Sequence, residues 1–307
     1  MYLFLYQADF LQENVADFVY YGEIIMINDR IDLYDYFRLT RKNATGGYLM
    51  SYVRTPSREI KRKIRPAMLV LPGGGYSYLS EHEGEPVALQ YMAAGYSSFA
   101  LEYSINTAYP TPLVEACMAV VYLRENAERY YIDKEKIAVI GFSAGGHLAG
   151  LLATVREEEI SEILGERAKY ARPDGAVLSY PVVTMTDGIT HDGTRRVISG
   201  NGTISYDQLS VEKRVTSDSA PAFIWHTFED RGVPVENSLL LASAYKNAGV
   251  PFSLHIFEKG WHGLSLCNEE TNNQTSKDIA LKYVGKWFEL SLDWLFSRGF
   301  KVNTEEK

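Results

Sequence analysis

The fold is decided by the segment Lys136–His147, which reads KIAVIGFSAGGH. Its apolar first half predicts a buried β-strand, and the small residues around Ser143 predict a sharp turn into a helix. Gly141 and Gly145 lie two residues either side of Ser143, where larger side chains would collide with each other or with the strand. On such a turn the serine hydroxyl stands clear of the sheet, beside the helix N-terminus. Ser143 is therefore the candidate nucleophile; the competing interpretation is a turn whose glycines serve only close packing.

Strands and helices alternate on both sides of this segment. A helical pattern over residues 236–248 ends at Gly249, which suits a helix C-cap. Near-continuous apolar strands that alternate with helices are typical of the α/β class, with a mostly parallel central sheet and helices on both faces. Functional groups of such sheets gather in the loops after the strands, so each candidate site residue should follow a strand. The predicted strands are residues 66–71, 96–101, 136–140, 176–180, 222–225 and 252–257, and a long amphipathic helix is predicted around Val284, Trp287, Phe288 and Leu295.

The chain is expected to form a single domain, with a division near residue 65. Residues 1–65 form a predicted N-terminal extension that adds antiparallel edge strands at 23–27 and 48–53. Residues 66–300 form the predicted catalytic domain. Residues 184–218 lack clear periodicity, so we expect a long active-site loop there, too short to form a large cap domain.

Composition and charge exclude several classes of protein. The 307 residues carry a formal net charge of −8, whereas nucleic-acid binding needs a surplus of Lys and Arg on one face. The basic cluster at 58–65 is interpreted as a solvated loop. No apolar stretch reaches the length of about 18 residues that a membrane span needs, and the N-terminus lacks the pattern of a signal peptide. We therefore expect a cytoplasmic protein with no nucleic-acid or membrane partner; its oligomeric state stays open.

The cysteines and the other potential metal ligands suggest no cofactor. Cys117 and Cys267 are too few for a disulfide framework and do not have metal-ligand spacing. The spacings of His, Asp and Glu suggest no metal site either. We therefore expect neither a metal nor an organic cofactor.

A run of three glycines, Gly73, Gly74 and Gly75, directly follows the first predicted strand. Consecutive glycines are costly in conformational entropy, so a backbone function is indicated. We assign an oxyanion hole to the backbone amides of Gly74, Gly75 and Ala144. A phosphate-binding loop is the rival, but no Lys-Ser/Thr follows and the glycines lack G-x-G-x-x-G spacing. A plain tight turn is the remaining alternative.

His262 is the candidate general base among six histidines, because it follows the last predicted strand in a Gly-Trp-His-Gly loop. His226 precedes the candidate acid and is expected to shape its loop. His255 is interpreted as a satisfied strand residue, and His147 as a possible structural support of the nucleophile helix. The other two histidines, His82 and His191, fall in predicted loops near the substrate entrance.

Asp230 is the candidate acid, since it follows the strand that ends at residue 225. A carboxylate there would accept the far imidazole N–H and fix the histidine tautomer. Glu229 is the nearest competitor, but a one-residue step changes the direction of the side chain, so only one of the two should reach His262. Asp187 and Asp218 are remoter alternatives.

With these residues in place, the chain resembles the α/β-hydrolase superfamily, and within it the acetyl esterases and acetylxylan esterase-like hydrolases of bacteria. The resemblance spans about residues 65–297, and the order Ser, Asp, His is the one expected of this fold. Pro72 stands where related hormone-sensitive-lipase-like esterases have His, which favours the acetylxylan-esterase-like branch. The motifs that carry the resemblance are PGGGY at 72–76, EGEP at 83–86, GFSAGGH at 141–147, SYP at 179–181, DRGVPVENS at 230–238 and GWHGL at 260–264.

The resemblance implies a carboxylic ester hydrolase that works through an acyl-enzyme with Ser143, His262 and Asp230. The absence of a large cap favours short acyl groups, acetyl above all, on a small-molecule or oligosaccharide ester such as an acetylated xylo-oligosaccharide. The predicted substrate-binding residues are Tyr76, His147 and Trp261.

Two other functions stay open. The first is a serine peptidase of the oligopeptidase type, although such enzymes usually carry a large gating domain. The second is a non-catalytic binding protein on a hydrolase scaffold, although such proteins commonly lose a member of the triad.

Overall fold

The computed structural model describes residues 26–57, 59–60, 62–271 and 280–301, and a single nine-stranded sheet runs through it. The sheet order is β1-β3-β5-β4-β6-β7-β8-β9, and β2 pairs with β3. Strands β4 to β9 are mutually parallel, whereas β3 runs antiparallel to β1, β2 and β5. The strands are β1 Met26–Ile27, β2 Arg30–Asp32, β3 Tyr48–Arg54, β4 Arg65–Leu71, β5 Ser97–Glu102, β6 Ile132–Phe142, β7 Gly175–Ser179, β8 Ala222–Thr227 and β9 Phe252–Phe257.

Helices cover both faces of the sheet and enclose two hydrophobic cores. Strand β4 shows why, because Leu69 and Leu71 belong to one core while Met68 and Val70 belong to the other. A strand buried on both faces is apolar throughout, which explains its near-continuous run of hydrophobic residues. The helices are α1 Leu33–Phe37, α2 Glu85–Ala93, α3 Thr111–Glu125, α4 Ala144–Ala153, α5 Glu157–Leu164, α6 Asp192–Ile198, α7 Tyr206–Leu209, α8 Glu236–Ala248, α9 Ala280–Val284 and α10 Trp287–Ser297.

The predicted α/β class is confirmed, and the six strands predicted after residue 65 all occur. Helix α8 has the predicted bounds and ends at Gly249, whose φ of 70° lies in the left-handed region that glycine tolerates. The predicted edge strand at 48–53 is β3, which pairs with β5. Of the strand predicted at 23–27, residues 23–25 lie outside the described residues. The division at residue 65 stays a prediction. Strand β3 before it and strand β4 after it belong to the same sheet.

Two expectations about the chain's organisation were wrong. Residues 184–218 are not one long loop, since α6, α7 and a 3₁₀ turn at Val211–Lys213 lie there. The single helix predicted near the C-terminus is two, α9 and α10, which Gly285 and Lys286 separate. Within the described ranges, no helix is long and apolar enough to cross a bilayer.

Candidate functional site

Ser143 lies at the turn between β6 and α4, in strained backbone geometry. Its φ of 53° and ψ of −116° are rare for a residue with a side chain. Side chains at the two flanking glycines would not fit, because a Cβ at Gly141 would lie 2.1 Å from Gly145 O and a Cβ at Gly145 would lie 2.1 Å from Leu71 O. The Ser143 amide donates to Ser179 O at 3.1 Å, which fixes the turn to the end of β7. The predicted steric cause of the glycine spacing is therefore present.

The structure brings the three candidate catalytic side chains together. His262 Nε2 lies 2.7 Å from Ser143 Oγ, and His262 Nδ1 lies 2.7 Å from Asp230 Oδ2. A carboxylate only accepts hydrogen bonds, so Nδ1 carries the proton and Nε2 accepts from the serine hydroxyl. In this tautomer the imidazole can take the proton of Ser143. Ser143 follows β6, Asp230 follows β8 and His262 follows β9, as the strand-end rule requires.

Asp230 is buried, and its environment keeps it ionised. Burial alone would raise the pKa of its carboxyl group. Hydrogen bonds from His226 and His262, the charge of His262 and the amide of Val233 outweigh burial, so the pKa of Asp230 lies well below its usual range. Asp230 Oδ1 accepts from the amides of Gly232 at 2.8 Å and Val233 at 2.9 Å. The carboxylate therefore stays negative throughout the range in which a histidine titrates.

Glu229 does not take part in this arrangement. Its carboxylate pairs with Lys259 at 2.7 Å on the surface, and its side chain is 46% exposed. The side chain of Glu229 faces solvent, whereas that of Asp230 faces His262. The sequence indicated that only one of the two could reach this histidine.

His226 contacts the candidate acid, Asp230, and supports its position. Its Nε2 donates to Val233 O at 2.9 Å and lies 3.2 Å from Asp230 Oδ2. Because a carbonyl oxygen only accepts, Nε2 carries the proton, and Nδ1 accepts from the hydroxyl of Ser238 at 2.8 Å. His226 is fully buried, so it orients Asp230 without reaching a substrate.

The glycine run lies directly beside the nucleophile. A Cβ at Gly73 would lie 3.1 Å from Ser143 Cβ, and Gly74 and Gly75 have φ values of 117° and 64° that favour glycine. Among the described residues, the amides of Gly74, Gly75 and Ala144 donate no hydrogen bond. Free amides at this position suit an oxyanion hole, which stays a prediction.

Glu83 connects the glycine run to the loop that carries the base. Its buried carboxylate accepts from the Gly73 amide at 2.9 Å and from the Tyr180 hydroxyl at 2.6 Å. The Tyr180 oxygen in turn accepts from the Ser265 amide at 2.9 Å, and its ring packs against His262 with 5.1 Å between centroids. One carboxyl group thus positions backbone on both sides of Ser143. The sequence placed Glu83 in a family motif but gave no sign of this role.

We expect Glu83→Gln to lower kcat/KM for p-nitrophenyl acetate by about 10–100-fold. The amide cannot accept from Gly73 and Tyr180 at once, and a hydrogen bond to a charged group contributes about 1.5–3 kcal/mol. Steady-state kinetics would measure the loss. Glu289→Gln is the control, because Glu289 is exposed on α10. Activity of Glu83→Gln equal to that of the control would contradict the positioning role.

Two of the three predicted substrate-binding residues are enclosed by protein. Tyr76 and His147 have no exposed surface, and the Tyr76 hydroxyl lies 2.9 Å from His147 Nδ1. His147 Nε2 donates to Leu209 O at 2.8 Å, so the pair joins the glycine run, α4 and the end of α7. The prediction that these two side chains contact a substrate was therefore wrong. Both support the site from within the protein, which is the alternative interpretation given above for His147. Trp261 is partly exposed, and its contact with a substrate stays a prediction.

His147 is expected to make stability depend on pH. Burial lowers its pKa from 6.5 to about 4, so between these values the unfolded chain binds a proton that the folded chain does not. Stability is therefore lost as pH falls from about 6.5 to 4, by up to about 3 kcal/mol. In urea unfolding at several pH values, His147→Gln should show a shallower decline than the wild type. Parallel declines would contradict this assignment.

His191 is a further group beside the site. It caps α6, where its Nδ1 accepts from the Thr194 amide at 3.2 Å and lies 2.8 Å from the Thr194 hydroxyl. The ring proton is therefore on Nε2. A Cβ at Gly75 would lie 3.6 Å from His191 Cε1, and burial, followed by the charge of His262, lowers the pKa of His191. A neutral imidazole thus borders the glycine run, close to the substrate entrance that the sequence predicted for it.

Comparisons with known proteins identify relatives of this chain. The BD-FAE family model matches residues 55–245. The chain is 41% identical over 216 residues to endo-1,4-beta-xylanase B of Butyrivibrio fibrisolvens, a match that covers 67% of this chain and 33% of that protein. It is 32% identical over 209 residues to an acetylxylan esterase of Xylanibacter ruminicola, covering 64% of this chain and 40% of that protein. The chain thus spans between a third and two fifths of these curated relatives.

A solved structure matches almost end to end. The acetyl ester-xyloside bifunctional hydrolase of Caldicellulosiruptor lactoaceticus superposes with a TM-score of 0.75 at 34% identity, and the match covers 91% of this chain and 99% of that chain. The fold is therefore that of the α/β-hydrolases, as the resemblance implied.

Proposed function

Because the chain belongs to the BD-FAE family, whose model matches residues 55–245, we propose that it is a serine carboxylic ester hydrolase that removes short acyl groups. One observation carries the proposal, the hydrogen-bond chain from Ser143 through His262 to Asp230, with 2.7 Å at each step. Such a chain activates a hydroxyl that is otherwise a weak nucleophile.

The reaction proceeds through an acyl-enzyme. Ser143 Oγ attacks the ester carbonyl carbon while its proton passes to His262 Nε2. The carbonyl oxygen becomes an oxyanion that the amides of Gly74, Gly75 and Ala144 bind. The tetrahedral intermediate then expels the alcohol, which takes the proton from His262. Water repeats these steps on the acyl-enzyme and releases the carboxylic acid. Asp230 stabilises the imidazolium that forms in each half-reaction.

Acetylated xylo-oligosaccharides are the substrate class that we propose. Support comes from the relatives, of which one is an acetylxylan esterase and another is an acetyl ester-xyloside bifunctional hydrolase. The segment between β7 and β8 also fits short acyl groups, since its described helices are only 7 and 4 residues long and form no large cap. A cytoplasmic location and the absence of nucleic-acid partners stay predictions.

Two other functions would give different results. An oligopeptidase-like serine peptidase would cleave a dipeptide anilide in preference to acetate esters. A binding protein on a hydrolase scaffold would leave Ser143 unlabelled by a fluorophosphonate probe. The intact hydrogen-bond chain at Ser143 favours the esterase over the binding protein.

We expect hydrolysis of p-nitrophenyl acetate, with kcat/KM falling as the acyl chain lengthens beyond butyrate. Longer chains need an enclosed apolar surface, and a pocket without a large cap provides little of it. Kinetics across acetate, butyrate, octanoate and decanoate esters would measure the trend. Equal or better activity on decanoate would defeat the short-acyl proposal.

A further inference from the structure

A cavity of about 680 Å³ is lined in part by Pro72, the residue that precedes the glycine run. Its lining includes Pro72 after β4, Tyr103 after β5 and Tyr48 at the start of β3. The triad follows β6, β8 and β9, which lie on the other side of β4 in the sheet order. The part of the cavity around Pro72, Tyr103 and Tyr48 therefore lies at the edge of the sheet that carries the triad, and the cavity extends from there along β3 to Tyr52, which pairs with Ser98 near the start of β5.

The lining of the cavity is rich in hydrogen-bond acceptors. Glu81, Glu85 and Glu102 contribute three carboxylates, and Arg30 pairs with Glu102 at 3.0 Å. One cation against three carboxylates gives the cavity a net negative charge. Anionic ligands are therefore disfavoured, and ligands that donate hydrogen bonds are favoured.

Tyr52 adds a hydroxyl group that has no hydrogen-bond partner in the described part of the chain. The residue is 6% exposed and lines the cavity, and its hydroxyl makes no hydrogen bond among the described residues. Burial, and then the charges of Glu85 and Glu102, raise the pKa of Tyr52 to about 12. Tyr52, Glu85 and Glu102 all line this cavity. A hydroxyl at the cavity surface can donate to or accept from a hydroxyl group of a ligand.

The features of the cavity suit a neutral sugar better than a metal ion. Small-molecule sites have volumes of about 300–1,000 Å³, far more than an ion needs. In the described part of the chain, no group of His, Cys, Asp or Glu could hold a metal ion. Stacking on Tyr48 is also disfavoured, because the guanidinium groups of Arg30 and Arg41 lie over its ring at 3.6 Å and 4.4 Å. Recognition therefore depends on hydroxyl groups that donate to carboxylates.

We propose that this cavity binds neutral sugar units of an oligosaccharide substrate, separate from the acetylated unit at Ser143. Sugar hydroxyls donate to Glu85 and Glu102, and the Tyr52 hydroxyl pairs with a further hydroxyl. The inference rests on the proposed function, since the sugar units in the cavity belong to the same oligosaccharide whose acetylated unit lies at Ser143.

Calorimetric titration with xylotriose, which carries no ester, tests the cavity without catalysis. The wild type should bind xylotriose, and Tyr52→Phe and Glu85→Gln should each raise its Kd by about 5–10-fold. Tyr170→Phe and Glu289→Gln are matched controls at exposed positions outside the cavity and should bind like the wild type. Trigalacturonate, whose units are anionic, should bind more weakly than xylotriose. Thermal unfolding would establish that each variant is folded.

The results separate the two proposals. No binding of xylotriose by the wild type, unchanged binding by both cavity variants, or equal binding of trigalacturonate would each overturn the cavity proposal. Hydrolysis of p-nitrophenyl acetate by the wild type is measured alongside. Its absence would overturn the proposed function by itself, whatever the titration shows.

Discussion

Replacement of Ser143 by alanine is expected to lower kcat for p-nitrophenyl acetate by about 10⁴–10⁶-fold. The variant keeps His262 and Asp230 but has no oxygen to attack the ester, so no acyl-enzyme forms. Because the three groups act as a unit, the loss of one removes nearly all of the triad's contribution, and the remaining rate comes from the oxyanion amides and binding. Steady-state kinetics and covalent labelling with a fluorophosphonate probe would measure the effect.

The folded state of Ser143→Ala should remain close to that of the wild type. Alanine meets the same backbone strain as serine at a φ of 53°, and the Ser143 amide keeps its bond to Ser179. Ser161→Ala, in α5, is the control and should retain full activity. Residual activity within tenfold of the wild type, in a sample shown to be pure, would mean that Ser143 is not the nucleophile.

Asp230→Asn is expected to lower kcat by about 10⁴-fold. The asparagine side chain is nearly isosteric, but its NH₂ cannot accept from His262 Nδ1. Its single oxygen would also have to accept from the amides of Gly232 and Val233, which in the wild type donate to Asp230 Oδ1. The imidazole then loses the partner that fixes its tautomer and stabilises its positive charge. Kinetics on acetate esters between pH 5 and 9 would measure the loss.

Glu229→Gln is the matched control for this variant. Glu229 is the neighbouring carboxylate, and it pairs with Lys259 at the surface. Its replacement should change kcat less than twofold, because surface ion pairs contribute about 0–1 kcal/mol and this one lies away from His262. Equal losses in the two variants would contradict the assignment of Asp230 as the orienting acid.

The nucleophile and its turn can be predicted from sequence because their cause is local. Gly141 is required by the backbone of Gly145 four residues later, and the apolar strand before it is continuous in the chain, whereas Gly145 is required by Leu71 and Pro72 at the end of the neighbouring strand β4. The choice between Asp230 and Glu229 is harder to predict from the sequence. Sequence indicates that only one can face the base, but the direction of each side chain depends on the loop around Gly232 and Val233.

The supporting contacts of Glu83 and Tyr180 could not be predicted, because the two residues are distant in the chain. Glu83 and Tyr180 lie 97 positions apart, and no local pattern indicates that they meet. Tyr76 and His147 adjoin predicted site residues in sequence, yet both side chains point into the protein, where they bond each other. Proximity in sequence therefore misassigned them as contacts with the substrate.

The short helices α6 and α7 escaped prediction for a different reason. They have 7 and 4 residues, which is two turns or fewer, so a helical period has no room to appear. His191 caps the first of them through a contact that only the folded backbone defines.

The carboxyl group of Glu83 limits which loops of this protein can change in length. Because it holds the glycine run and, through Tyr180, the base loop, an insertion in either loop would displace both halves of the reaction centre together. In the segment between β7 and β8, Tyr180 belongs to that junction, whereas the part that ends α7 contacts the nucleophile helix through Leu209 and His147. Laboratory evolution toward new alcohols should therefore accept length changes near α7 and reject them around residues 83 and 180.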